Sequence, residues 1–334
     1  MGRGQTDAEF GRVALLTLFL MGTVSCCMVY LGVSLVFKTS STTISSLTSL
    51  VEDGGHGLRN NTKEVKCCKG IEHLELWGDA VKWGADFKVN SSEECCMACK
   101  DMCRGADGSC LCNSWVFCGD REACGPRCGE CWLKRQKDVL NPEHKGSGDH
   151  VMWTSGLVFG KSVGIVGLKT EYGILRVQLL PDCAPRSVAY ILELLTVHHC
   201  VGCHIYRAES RGSFWDSEGS HIENAPFGPP FALIQGTLEA HGYLFKEIPT
   251  EFCPLLRRGS VAWVGSGPEF FISLANHDEW RKAYTTFGFV LPEDMEIAEK
   301  IAQLPTKTER WGNIDVSVLE KPVPLQFQRI NSSH

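Results

Sequence analysis

The chain has 334 residues, 43% of them hydrophobic, and a formal net charge of −6. Acids and bases are interspersed and leave no basic face to follow a phosphate backbone, which excludes nucleic acid as a partner. The 18 cysteines are spread so unevenly that the length must divide into modules of different character.

Residues 1–12 form a short tail that contains Arg3 and Arg12. Residues 13–37, VALLTLFLMGTVSCCMVYLGVSLVF, carry no charge. About 20 apolar helical residues cross a bilayer core. A cleaved signal peptide has an apolar core of only ~7–15. The length therefore favours an uncleaved transmembrane signal anchor. Two arginines precede the span and only Lys38 closely follows it, which places the tail in the cytoplasm. Residues 38–66 are rich in Ser, Thr, Gly and Asn and read as a flexible stem. The expected layout is a single-pass type II membrane protein of the secretory pathway, in the Golgi or endoplasmic reticulum. Membrane association is through residues 13–37, and the C-terminal domains are luminal.

Residues 67–160 hold twelve of the cysteines, between Cys67 and Cys131. Such density implies a disulfide framework, and disulfides persist in oxidising compartments. Three N-glycosylation sequons, at Asn60, Asn90 and Asn331, lie on the same side of the span and agree with a luminal location. Ser91 and Glu94 have the spacing of a helical capping box. Cys95, Cys99 and Cys103 then recur every four residues along one helical face. Zinc is the competing reading, through Cys95-x3-Cys99 and Cys128-x2-Cys131. The oxidising lumen favours disulfides over thiolate ligands.

Residues 161–330 are poor in cysteine, with short apolar runs between turn signals, as in a β-rich domain. Helical patterns interrupt them at 184–198 and 293–304. Within this stretch Cys200-Val-Gly-Cys203-His204 spells C-x-x-C-H, the pattern of c-type haem attachment. His198 and His199 beside it add a metal-cluster reading. A haem also needs a pocket and a distal ligand, and none is apparent here. A Cys200–Cys203 link, or pairing with Cys183 or Cys253, accounts for the cysteines more simply.

Two resemblances follow from longer motifs. FKVNSSEECCMACKDMC, CNSWVFC, CGECWLK and HVMWTSGLVFG, in that order, resemble the PAN/apple domain. That resemblance implies a small disulfide-rich α+β domain, with a cysteine-bearing helix on an antiparallel sheet. It also implies recognition of a protein or carbohydrate ligand rather than chemistry. Further on, YGILRVQLLPDCAPRSVAYILELL, VGCHIYRAES, PPFALIQGTL, RRGSVAWVGSGPEFFISL and DEWRKAYTTFGFVLPEDMEIAEKIAQLP resemble the successive motifs of the cyclophilins. This implies a mainly β fold with α: a closed eight-stranded barrel with two helices, in which C-x-x-C-H is incidental.

Cyclophilins are peptidyl-prolyl cis-trans isomerases, acting on proline-containing polypeptides. Amide resonance opposes rotation with a barrier of ~18–20 kcal/mol. Catalysis of the rotation needs an apolar cup for the proline ring and a donor for the twisted amide. It needs no cofactor and no metal. A guanidinium, planar and always charged, suits the donor role. By motif position Arg207 is the catalytic arginine and Gln235 the glutamine that orients the substrate carbonyl. Leu233 and Phe271 match walls of the pocket, Trp280 its rim, and Tyr284 stands where the family has a pocket histidine. The family's phenylalanine near Leu233 falls on Phe231 or Ala232, depending on a one-residue shift. Gly265, Val264 and Glu269 replace an asparagine, an alanine and a glutamine of the substrate groove. The insertion SRGSFWDSEGSHIENAPFG separates Arg207 from Gln235. Two functions follow: a membrane-anchored isomerase of weak or specialised activity, or a non-catalytic binding protein on the same scaffold.

Overall fold

A computed structural model of the chain describes residues 21, 67–103, 110–196, 200–240, 242, 245–252, 256–280 and 283–330. The expected anchor and stem, the sequons at Asn60 and Asn331, His198, His199 and Cys253 lie outside the described residues. Among the described residues no helix is long and apolar enough to cross a membrane.

Residues 64–334 form one compact unit. In its first part the strands are β1 (Ile71–Glu72), β2 (Leu74–Leu76), β3 (Asp79–Lys82), β4 (Ser114–Phe117), β5 (Cys131–Arg135), β6 (His144–Ser147) and β7 (Thr154–Leu157). Five pair in the order β1-β7-β4-β5-β3, and β2 pairs with β6. Helix α1 (Ser92–Lys100) packs on this sheet. Its start is the expected cap with one change. The Ser91 hydroxyl accepts from the Glu94 N–H at 3.1 Å, while the Glu94 carboxylate reaches back to the N–H of Asn90 rather than that of Ser91. Cysteines of this helix cross-link it on several sides: Cys95–Cys131 to β5, Cys96–Cys68 to the segment before β1, and Cys99–Cys112 to the segment before β4. Cys103–Cys110 and Cys118–Cys124 complete the set. The competing zinc reading is thereby excluded for this quartet, since Cys95, Cys99 and Cys131 are in disulfides and, of the four, only Cys128 keeps a free thiol. A short helix, α2 (Arg121–Cys124), is capped by Asp120.

The second part contains β8 (Ile165–Thr170), β9 (Gly173–Leu179), α3 (Pro185–Thr196), β10 (His204–Glu209), β11 (Leu233–Thr237), β12 (Ser260–Trp263), β13 (Glu269–Ser273), β14 (Thr286–Val290), α4 (Met295–Ile301), β15 (Thr306–Trp311), β16 (Ile314–Pro324) and β17 (Gln326–Arg329). Both expected helices are present. Pro185 opens α3, where its missing N–H costs nothing. The next two N–H groups, of Arg186 and Ser187, donate to the buried Glu251 carboxylate at 2.9 Å each. Cys200 pairs with Cys203, so C-x-x-C-H is a disulfide turn leading into β10.

The expected closed eight-stranded barrel is corrected. The sheet has ten strands in the open order β15-β16-β10-β11-β13-β12-β14-β9-β8-β17. The physical reason lies at Leu325. Up to Pro324 the chain pairs with β10, and from Gln326 it pairs with β8 at the other end of the ladder. One continuous segment thus joins the two ends, with the Leu325 N–H bonded to the Cys203 carbonyl at 2.9 Å instead of closing a ladder. The hairpin to β15 extends the sheet further. Inside lie Ile205, Ile234, Trp263, Phe270 and Ile272, all nearly inaccessible.

The two parts are joined covalently and ionically around one turn. Cys67 is disulfide-bonded to Cys183. The Lys100 ammonium meets the Asp182 carboxylate at 2.5 Å, and the Lys69 N–H donates to the Asp182 carbonyl at 2.8 Å.

Candidate active site

Antiparallel pairing sets Arg207 of β10 opposite Gln235 of β11, Gln235 opposite Phe271 of β13, and Phe271 opposite Ala262 of β12. Residues opposed in this way share a face. The period of two places Leu233 on the same face as Gln235. Four strands thus deliver a row of guanidinium, amide and apolar groups from positions far apart in sequence.

Apolar neighbours gather around this row. Leu233, Leu256, Ala262 and Phe271 form a buried cluster, against which half-buried Phe231, Val264, Trp280 and Tyr284 pack. Trp280 and Tyr284 meet Phe271 edge-on at 5.8 and 5.1 Å between ring centroids. The result is a cup with a buried aliphatic and aromatic floor and a half-exposed aromatic rim. Gly265 and Glu269 border the same region. Gly265 is at φ +61°, a conformation that favours glycine over the family's asparagine.

Of residues 231 and 232, Phe231 is the one whose side chain packs against the cup. Ala232 is buried and held at φ +48°, a left-handed conformation uncommon for a residue with a Cβ. That kink brings the Phe231 ring to 6.1 Å from Trp280 and 5.5 Å from the Arg207 guanidinium. Trp311, from β15, stands 5.4 Å from the same guanidinium. Arg207 therefore has aromatic rings on two sides.

Its polar partners are equally fixed. Nε and Nη2 both reach Glu209 Oε1 at 2.9 Å. Nη1 donates to Gln235 Oε1 at 2.8 Å. Glu209 is only 2% exposed. Its other oxygen accepts the Phe231 N–H at 2.6 Å, which ties the kinked segment to the ion pair. Of five guanidinium N–H donors, three are engaged by described residues, and two remain for a ligand.

A β-bulge explains the next link. The register of β10 shifts between Ile205 and Arg207, so Tyr206 and Arg207 both reach Gln235. Gln235 Nε2 donates to the Tyr206 hydroxyl at 2.7 Å, and that hydroxyl donates to Glu269. Burial, and then the bond to Glu269, hold the phenol well above its usual pKa, so Tyr206 is a neutral donor. Arg207, Gln235, Tyr206 and Glu269 form one hydrogen-bonded chain along the edge of the cup. On the far side the buried His277 ring stacks on Trp280, 3.7 Å between centroids and 5° from parallel. Its Nδ1 contacts Glu279 at 2.6 Å, and burial lowers its pKa. Burial also raises the pKa of Tyr284.

All six residues singled out from the sequence fall in this one place. Tyr206, Glu209, Phe231, Trp311 and His277 complete the site.

Residues 165–322 match the family described as cyclophilin type peptidyl-prolyl cis-trans isomerase/CLD, just under half of the chain. A cyclophilin type peptidyl-prolyl cis-trans isomerase of Cryptosporidium parvum, crystallised in the presence of the dipeptide Ala-Pro, is 16% identical. That match covers 49% of this chain and 96% of that one, with a TM-score of 0.34. A second structure of the same protein gives 16% identity, 50% and 99% coverage, and a TM-score of 0.34. A cyclophilin from Hirschia baltica gives 14% identity, 47% and 72% coverage, and a TM-score of 0.29. No curated protein matches the chain. The strand-rich part of this chain is thus similar to the cyclophilin type peptidyl-prolyl cis-trans isomerases over residues 165–322.

Proposed function

We propose that the protein is a membrane-anchored, luminal prolyl isomerase, with Arg207 as its electrophile and the cup of Leu233, Phe271, Trp280 and Tyr284 as its proline seat. The observation that carries this reading is the Arg207–Gln235 bond at 2.8 Å beside the apolar cluster. A proline ring in the cup places the preceding amide beside the guanidinium. As the amide twists, its nitrogen loses conjugation and gains basicity. The two uncommitted N–H groups of Arg207 then stabilise the twisted form more than the planar one, which is what lowers the barrier. Glu209, Phe231 and Trp311 fix the guanidinium in advance, so little reorganisation is needed during rotation. Gln235, held at both ends, positions Arg207 and offers its remaining N–H to the substrate carbonyl.

Seven disulfides among the described residues support an oxidising compartment. The exposed Asn90 beside α1 supports a glycosylated lumenal face. The apolar run at 13–37 supports anchoring. The helix stapled to a small antiparallel sheet supports a PAN/apple-like recognition unit over 67–160, ahead of the isomerase module at 161–330.

The second reading, a binding protein without catalysis, is favoured by the same clamp. Arg207 is 8% exposed and its charge is already balanced by Glu209. A proline-peptide isomerisation assay on the intact chain beside Arg207→Ala separates the two. The isomerase reading requires wild-type rates above background that fall in the variant. Equal background rates for both proteins assign the cup to binding alone.

A further inference from the structure

Away from the proline cup, the surface of the disulfide-rich part keeps a concentration of aromatic rings. Trp77 is 50% and Trp83 61% exposed, although tryptophan is highly buried on average. Both border a groove of about 650 Å³, within the range of small-ligand sites. Trp132 also lines it, edge-on to Trp83 at 5.3 Å between centroids.

The groove wall is largely apolar and carries two buried charged side chains. Lys134 is 6% and Glu130 9% exposed, and both line the groove. Glu130 accepts the Trp132 indole N–H at 3.1 Å. The Lys134 ammonium donates to the Leu76 carbonyl at 2.8 Å and lies 5.2 Å from the Trp77 ring. Burial lowers its pKa, the cost of keeping an ammonium there. An ammonium has three N–H groups, and among the described residues only one of these forms a hydrogen bond. Nothing in the isomerase chemistry uses either group.

The charge of the groove decides the class of ligand. Lys134, Lys145 and Arg127 face Glu75, Asp79 and Glu130. Lys145 already pairs with Glu75 at 3.5 Å. The two signs balance, so the groove draws neither a polyanion nor a polycation. An apolar side chain pushed into it would cover the two Lys134 N–H groups that no described residue accepts. A pyranose ring meets both demands. Its C–H face packs on an indole, and its hydroxyls both donate and accept.

We propose that the groove formed by Trp77, Trp83 and Trp132 binds a neutral saccharide. The proposal rests on the reading of the disulfide-rich part as a recognition unit and names its ligand. The test is retention of the intact chain on a surface printed with neutral hexose oligosaccharides, sialylated and sulfated glycans, and an unglycosylated proline-rich peptide. Neutral oligosaccharides should retain the wild type. Trp83→Ala and Trp77→Ala should each weaken retention at least ~10-fold with the melting temperature unchanged, because both rings are exposed. Phe227→Ala, which removes another exposed ring, should change nothing. Retention only on sialylated or sulfated glycans, lost in salt, overturns the proposal. So does retention that ignores both tryptophan variants. Capture of the peptide alone overturns the saccharide while leaving a recognition unit, and capture of nothing removes both. Isomerase rates, measured on the same samples, are independent of every one of these outcomes.

Discussion

The two parts of the compact unit reach a stable fold by different routes. In 67–160 the fully buried cluster consists largely of cysteines, with Trp115, Phe117 and Leu133 between them. Five disulfides lie wholly inside this part. These cross-links add to the apolar burial of the part, as in other disulfide-dense domains. Among the described residues the strand-rich part has one internal disulfide and supplies most of a broad apolar cluster, which Leu76, Val116, Leu140, Trp153 and Leu157 of the first part also join. With stability secured by packing, it tolerates a buried ion pair and a kinked segment at its working face. The comparison teaches that covalent bonds supplement packing in one part and leave its tryptophans free to stay exposed. In the other part packing carries the fold, and the polar groups are reserved for the cup.

Breaking each part in its own way should give distinct signatures. The largest effect is expected from Arg207→Ala, which removes the guanidinium beside the cup. On the isomerase reading kcat/KM should fall ~10²–10³-fold. The variant also strands the Glu209 carboxylate, at a cost of ~3–5 kcal/mol in unfolding free energy. Pairing it with Glu209→Ala should recover stability without recovering activity. A melting curve run beside the assay tells the two losses apart.

Next comes the covalent joint. Replacing Cys67 and Cys183 together by serine opens a link spanning 116 residues. The expected loss is ~2–4 kcal/mol. Calorimetry should then show the two parts melting separately, where the wild type melts once. Removing Cys200–Cys203, which spans 3 residues, should leave a single transition close to the original.

A smaller effect is expected from Tyr206→Phe. It removes the hydrogen bonds to Gln235 and Glu269, each worth ~0.5–1.5 kcal/mol, and should lower kcat about 2- to 10-fold with KM nearly constant. A change in KM alone would make Tyr206 a packing residue only.

The mildest distinction is in pH. Burial raises the Tyr206 hydroxyl above its ordinary 10.0 and lowers His277 below its ordinary 6.5. The folded state keeps the tyrosine proton longer than the unfolded chain, so that stability is whole below pH 10.0 and falls as pH rises beyond it. The folded state takes up the histidine proton less readily, so that contribution is whole above pH 6.5 and falls as pH drops. Melting temperature against pH should show a plateau between the two limits. Tyr206→Phe should lessen only the alkaline slope, of which buried Tyr284 keeps a share, and His277→Gln should lessen only the acid slope. Amide exchange in α1, which has no such group, should change less across the same range.

Much of the site could be read from the sequence because motif order preserves strand pairing. Arg207, Gln235 and Phe271 lie in separate motifs, yet they occupy one row across β10, β11 and β13. What could not be read depends on departures from regular geometry. Tyr206 should point away from the face of Arg207 by simple alternation, and only the bulge lets both reach Gln235. Phe231 takes its place through a left-handed residue that no propensity favours. Trp311 arrives from the hairpin that lengthens the sheet, outside the expected eight strands. Disulfide partners were open as well. Spacing places Cys95 and Cys99 on one helical face, but the strand register decides that Cys131 and Cys112 meet them.

The joint at Cys67 and Cys183, reinforced by Lys100 and Asp182, has a kinetic consequence. A linker would let the two parts wander, and the local supply of one part's cargo at the other would dilute with linker length. A bolted joint fixes that supply. A glycosylated client seated between the tryptophans would then present its prolines to Arg207 at a concentration dictated by molecular dimensions, whatever its abundance in the surrounding fluid.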